Sequence, residues 1–144
     1  MVYGDPLKSY QRANVETTNP LNLVIMCYDA AIKDVRAARE LHAGRSMGGA
    51  YEKLRHAQDI VTELLVALDY EEGGDIANNL SRLYNFILRQ LIGINSQQSL
   101  TVYDPVVEIL EELKDAWEQI RRQGIQMPGA EAGPPAQGWS GVSA

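Results

Sequence analysis

Apolar residues return every three to four positions in four separate stretches of the chain, whereas strand-like alternation is nearly absent. The first stretch opens on Asn19-Pro20: Asn19 can accept a bond from a free amide, and Pro20 has no amide to leave unpaired. Leu21, Val24, Tyr28, Ile32 and Val35 then keep helical spacing, and Gly44 is the expected closing residue. A second helix carries Leu54, Gln58, Val61, Leu65 and Leu68, ending near "EEGG", where Gly73 is suited to a left-handed turn. Asp75 is a candidate cap for a third helix with Ile76, Leu80, Leu83, Ile87, Leu91 and Ile94. Asp104-Pro105 repeats the cap-then-proline device before Val106, Leu110, Leu113, Trp117 and Ile120.

Short connections make consecutive helices antiparallel neighbours, so the pattern predicts an all-α, up-down-up-down four-helix bundle. Helices of roughly 20 residues would be about 30 Å long. The expected organisation is a leader over residues 1–18, a bundle over 19–124 and a tail over 125–144. Leu7, Tyr10 and Val15 give the leader the spacing of one or two helical turns, too short to be stable without support. The tail, "MPGAEAGPPAQGWSGVSA" from Met127, has the composition of a disordered segment, and Trp139 has no evident core to join.

Two helices carry more apolar surface than such a core consumes. Leu23 to Tyr28 run without a polar break and cover every face of the first helix. The third adds Tyr84, Phe86 and Leu88 to a complete seam, while the fourth is narrow and charged elsewhere. A wide apolar face is most often core; a homodimer interface or a groove for an amphipathic partner are the other uses.

Composition narrows the choice. Thirteen basic against nineteen acidic side chains give a formal charge of −6, which argues against nucleic acid or an anionic membrane as the main partner. A single cysteine excludes an internal disulfide and fits a reducing compartment. Neither a signal-peptide pattern nor a membrane-length apolar run is present, so a cytoplasmic location without membrane insertion is expected. Cys27 lies among apolar residues and reads as an inert core thiol. His42 and His56 stand apart from each other and from any Glu-x-x-His pair, so no metal site is expected. With no phosphate loop, nucleophile elbow or acid–base pair, neither a cofactor nor an enzymatic activity is expected.

Tyr10-Gln11, Val15, Thr17, Pro20, Leu23, Met26, Tyr28-Asp29 and Ile32 form a spaced series that resembles the opening signature of the FliS family, the flagellin export chaperones. "LRHAQDIVTEL" from Leu54, "LDYEEGGDIANNLSRLY" from Leu68 and "LEELKDAW" ending at Trp117 continue the resemblance in order, so that it spans about Tyr10 to Arg122. "TTNP" stands where "TASP" is commoner in the family, and the stretch "SQQSLTVYDP" is particular to this chain.

The resemblance implies a cytoplasmic chaperone that binds the disordered C-terminal segment of flagellin, prevents its early polymerisation and hands it to the flagellar type III export gate, of FlhA type. It implies that the leader lies over part of the same apolar surface when the client is absent. On that reading Leu23, Met26, Tyr28, Asn79, Leu80 and Tyr84 are the expected groove residues. Leu7, Tyr10 and Val15 are the expected leader contacts, with Tyr10 also engaging the gate. Each has a plainer alternative. Leu23, Met26 and Tyr28 also fit a core, because a heptad frame drifts about 20° per seven residues. Tyr10 also fits a simple anchor, and Asn79 fits a solvated position or a register-fixing polar residue. Gln58, on the seam, suggests an internal bond between helices. A helical homodimer, structural or regulatory, remains the alternative to the chaperone.

Overall fold

The computed structural model describes residues 20–124. Among them four α-helices occur in the order α1 (Pro20–Ala43), α2 (Met47–Val66), α3 (Tyr70–Ile92) and α4 (Asp104–Gln123), with a 3-10 turn (Leu100–Tyr103) leading into α4. They pack as a four-helix bundle around one core. Helix α1 is the hub, packing most extensively against α2 and next against α4. Helix α3 rests mainly on α2, and α3–α4 is a much sparser contact.

Three of the four expected seams are interior. Leu21, Tyr28, Ile32 and Val35 of α1 are buried, with Val24 packed partly against them. So are Ile76, Leu80, Ile87 and Leu91 of α3, with Leu83 only partly buried against them and Ile94 buried just past the helix end, and Val106, Leu110, Leu113, Trp117 and Ile120 of α4. The seam of α2 is shifted. Ala50, Leu54, Ala57, Ile60, Val61 and Leu64 are buried, while Gln58 and Leu65 are half-buried on the flank. Alanine carries the interior positions there, and its small side chain marks a face less visibly than leucine does.

The helix ends also depart from expectation in specific ways. Gly44 closes α1, but Arg45 takes the left-handed conformation, at φ 62°. The amide of Ser46 donates to Leu41 O at 2.7 Å and that of Arg45 to His42 O at 3.0 Å, a paired closure that satisfies the last carbonyls. Helix α3 begins before Asp75. Asp69 is its cap, accepting from the Glu72 amide at 3.0 Å. After one turn the backbone breaks at Gly74 (φ 50°, ψ −125°), and the long run of α3 follows. Gly73 is tight for another reason: a Cβ there would lie 2.9 Å from Ala77 Cβ. Asp104 is already helical (φ −62°, ψ −46°), because the 3-10 turn runs straight into α4 and leaves no capping position for it. Asn19 lies outside the described residues.

The α3–α4 connection is held by its own side chains. Asn95 accepts from the Gln97 amide at 2.9 Å, Gln98 accepts from the Asn95 amide at 3.0 Å, and Ser99 caps the 3-10 turn by accepting from the Thr101 amide at 3.1 Å. Tyr103 is fully buried and shares a 2.9 Å hydrogen bond with His42 Nδ1, tying this connection to the end of α1. His42 is thus a packed, partnered residue, not an isolated one.

Candidate surface groove between the first and last helices

Helix α1 turns different chemistry toward each neighbour. Toward α4 it presents Asn22, Asp29 and Arg36, seven residues apart and therefore on one edge. Arg121 Nη1 donates to Asn22 Oδ1 at 3.0 Å, and Lys114 Nζ donates to Asp29 Oδ1 at 3.1 Å. Arg36 donates to Glu111. Lys33 adds a second cation to Asp29, 3.2 Å from Oδ2. Burial pushes the Asp29 carboxyl up, but the hydrogen bonds and charges of Lys114 and Lys33 outweigh it and hold it below the ordinary carboxylate range.

Two surface depressions follow this seam. The one near Pro20 has Ile25, Met26 and Ala30 as its apolar part, with Asp29, Lys33, Lys114, Glu118 and Arg121 around it. The one nearer Tyr103 has Ala37 and Val107, bordered by Arg36, Arg39, Glu40, Asp104 and Glu108.

On the α2 side, α1 sets Asp34 against His56, which closes the edge of that interface. Here burial pushes the carboxyl above its ordinary range, and the hydrogen bond from His56 offsets this only in part. His56, like His42, therefore has a structural partner.

The six residues expected in a groove separate into two sets. Leu23 and Met26 are half-buried on α1, and Met26 lines the depression near Pro20. Asn79 is half-buried and accepts from Arg82 on its own helix, so its bond links no second helix. Tyr28, Leu80 and Tyr84 are interior. Their helical angle, not their apolarity, decides this: they continue the buried seams of α1 and α3, so they form no surface wall here. Tyr28 and Tyr84 meet hydroxyl to hydroxyl in the core, with ring centroids 6.5 Å apart and planes inclined at 44°. Burial pushes both phenols well above their ordinary range, and the Trp117 indole adds a favourable contact to the Tyr28 hydroxyl. Cys27 is buried beside them. Leu7, Tyr10 and Val15 lie outside the described residues.

Sequence reasoning assigned no role to Asp29, Lys114, Arg121, Arg36 or Glu111, although Asp29, Glu111 and Lys114 fall within the motifs quoted above. The seven-residue recurrence of Asn22, Asp29 and Arg36 was the available signal, but pairing it with α4 requires the register of two helices far apart in sequence. Among the described residues, no helix is long and apolar enough to cross a membrane, and no group of three or more His, Cys, Asp or Glu side chains could hold a metal ion.

A family model described as "Flagellar protein FliS" matches residues 3–124. The chain is 31% identical over 131 residues to the flagellar secretion chaperone FliS of Vibrio cholerae, covering 88% of this chain and 96% of that protein. It is 32% identical over 125 residues to the protein of that name from Salmonella typhimurium, covering 83% and 93%. It is 26% identical over 119 residues to that of Bacillus subtilis, covering 83% and 88%.

Proposed function

Because the chain belongs to the FliS family of flagellar secretion chaperones, we propose that it binds the C-terminal segment of flagellin in the cytoplasm, delays its polymerisation and passes it to the flagellar type III export gate. The family is non-enzymatic, so the mechanism is one of binding. The observation that carries the reading is the depression on the α1–α4 seam, where half-buried Met26 adjoins Ile25 and Ala30 of the core inside a rim of charged side chains. A surface hollow with an apolar floor and a charged rim is a form of site an amphipathic segment can dock into.

On this reading Met26 is a contact, with Leu23 beside it on the same helix. Tyr28, Leu80 and Tyr84 act from behind, keeping α1 and α3 in place under the bound segment. Asn79, already bonded to Arg82, is a peripheral polar contact. Leu7, Tyr10 and Val15 cover the apolar surface when no client is present, and Tyr10 then engages the gate.

A disordered client loses conformational entropy as it orders, so a long contact of modest affinity per unit area is expected. Calorimetric titration with the C-terminal segment of flagellin from the same organism tests this. One-to-one saturation with a negative heat-capacity change is the expected result. Absence of heat and of co-elution would overturn the reading and leave self-association as the use of the apolar surface.

A further inference from the structure

The two depressions along the α1–α4 seam have opposite charge, and this gives the seam a direction. Near Pro20, three cations, Lys33, Lys114 and Arg121, stand against two carboxylates, Asp29 and Glu118. Asp29 already serves both lysines, one through each oxygen, and the hydrogen-bond partner of Arg121 is the neutral amide of Asn22. Near Tyr103 the balance reverses: Arg36 and Arg39 stand against Glu40, Asp104 and Glu108, and Arg36 is also bonded to Glu111. A locally cationic hollow in a chain of formal charge −6 is the feature to be accounted for.

Resting on the client-binding reading above, we propose that this seam accepts a helical client segment in one orientation only. The segment carries an acidic side chain beside its apolar anchor at Met26 and a basic side chain beside its anchor at Val107. Eleven residues of α1 separate Met26 from Ala37, the apolar residues of the two hollows. At 1.5 Å per residue this is roughly 16 Å, about three turns of a client helix lying along the seam. The reason is desolvation. Lys114 is only 27% exposed before anything binds. An apolar segment laid over Met26 removes more water from Lys114, which shares the single carboxylate of Asp29 with Lys33, and from Arg121, which is bonded to a neutral amide. A cation that loses water without a full counter-charge is costly. A carboxylate on the segment meets that cost, whereas the reversed segment would bring a cation to the same place. Such complementarity acts chiefly on specificity and association rate, and salt weakens it.

The test is titration of the full chain with the flagellin C-terminal segment at low and high salt, using Lys114→Gln, Arg121→Gln and Met26→Asp, each checked by circular dichroism. Lys114→Gln and Arg121→Gln are expected to weaken binding about threefold to tenfold at low salt and to flatten its salt dependence. A segment whose acidic and basic residues are exchanged is expected to bind the unaltered chain more weakly than the original. If Met26→Asp abolishes binding while both neutralised variants and the exchanged segment bind as the originals do, the site stands and the orientation proposal is overturned. If Met26→Asp binds normally, this seam is not the client site, and both readings of it fall. Should Lys114→Gln lose its helical signal, Arg121→Gln and the exchanged segment decide the outcome.

Discussion

Helix α1 has two flanks, and they are built on opposite plans. Toward α2 it buries Ala31 and Ala38, while α2 buries Ala50 and Ala57, all without exposure. Small side chains allow close approach of the backbones, and this is the most extensive contact in the bundle. Gly49 of α2 comes so near Leu41 that an added Cβ would lie 3.2 Å from Leu41 Cδ1. Toward α4, long side chains bridge the helices from the edge, and hollows remain between the bridges. The contrast teaches a division within one helix: the sealed flank is closed by small side chains, and the bridged flank keeps open hollows between its polar links.

The strongest way to break the contrast is a charge in the sealed flank. Ala38→Glu is expected to cost at least ~3 kcal/mol, because a carboxylate is forced into a space with neither room nor partner. Urea unfolding followed by circular dichroism measures it, and a cost near zero would mean the α1–α2 seam is not closed. The matching change on the other flank is Met26→Asp. There the stability loss is expected to stay within about 1 kcal/mol, since the side chain is only half-buried and water can reach the carboxylate. Client binding measured by calorimetry is expected to disappear.

A finer comparison uses the two aspartates. In the folded protein Asp29, on the bridged flank, titrates below its unfolded value, and Asp34, on the sealed flank, titrates above. The signs therefore oppose. Asp29 contributes stability that is present above its unfolded pKa and is lost as pH falls through the folded one. Asp34 contributes in the protonated form, and that contribution is lost as pH rises through its raised folded pKa. Carboxyl-carbon NMR titration should resolve the two midpoints on either side of the ordinary aspartate value. Lys114→Gln should raise the Asp29 midpoint and leave Asp34 in place. If both midpoints moved together, the flanks would not be electrostatically independent.

The smallest effect concerns the end of α1. Arg45→Gly is expected to stabilise the protein by about 0.5–1 kcal/mol, because glycine adopts the left-handed conformation without the Cβ penalty that Arg45 carries. A rise in the urea midpoint with unchanged slope checks it. The change lies beyond both flanks, so client affinity should not move.

What was legible in the sequence follows the same division. The α4 seam was fully readable, because Val106, Leu110, Leu113, Trp117 and Ile120 are large, apolar and flanked by charge. The α2 seam was partly hidden, because alanines do its packing. The turn residues were placed one position off at Gly44 and Gly73. Composition marks where a left-handed residue is needed, but the closing hydrogen bonds choose which neighbour takes it. At the candidate site, Met26 was legible as surplus apolar surface. Tyr28, Leu80 and Tyr84 were not separable from it, because counting apolar residues says nothing of helical angle. Lys114 and Arg121 were missed since their meaning depends on α1, some 85 to 99 residues away in sequence.

The hydroxyl contact of Tyr28 and Tyr84 has a mechanical consequence. It joins α1 to α3, helices across the bundle from each other, and so works as a cross-brace inside a four-sided frame. Sliding α3 along α1 by one helical turn, about 5.4 Å, would part the two hydroxyls and strand that of Tyr84 among apolar side chains. Shear is therefore resisted at mid-frame. The α1–α4 seam lies outside that brace, so the side chains that bridge it can rearrange without releasing the α1–α3 register.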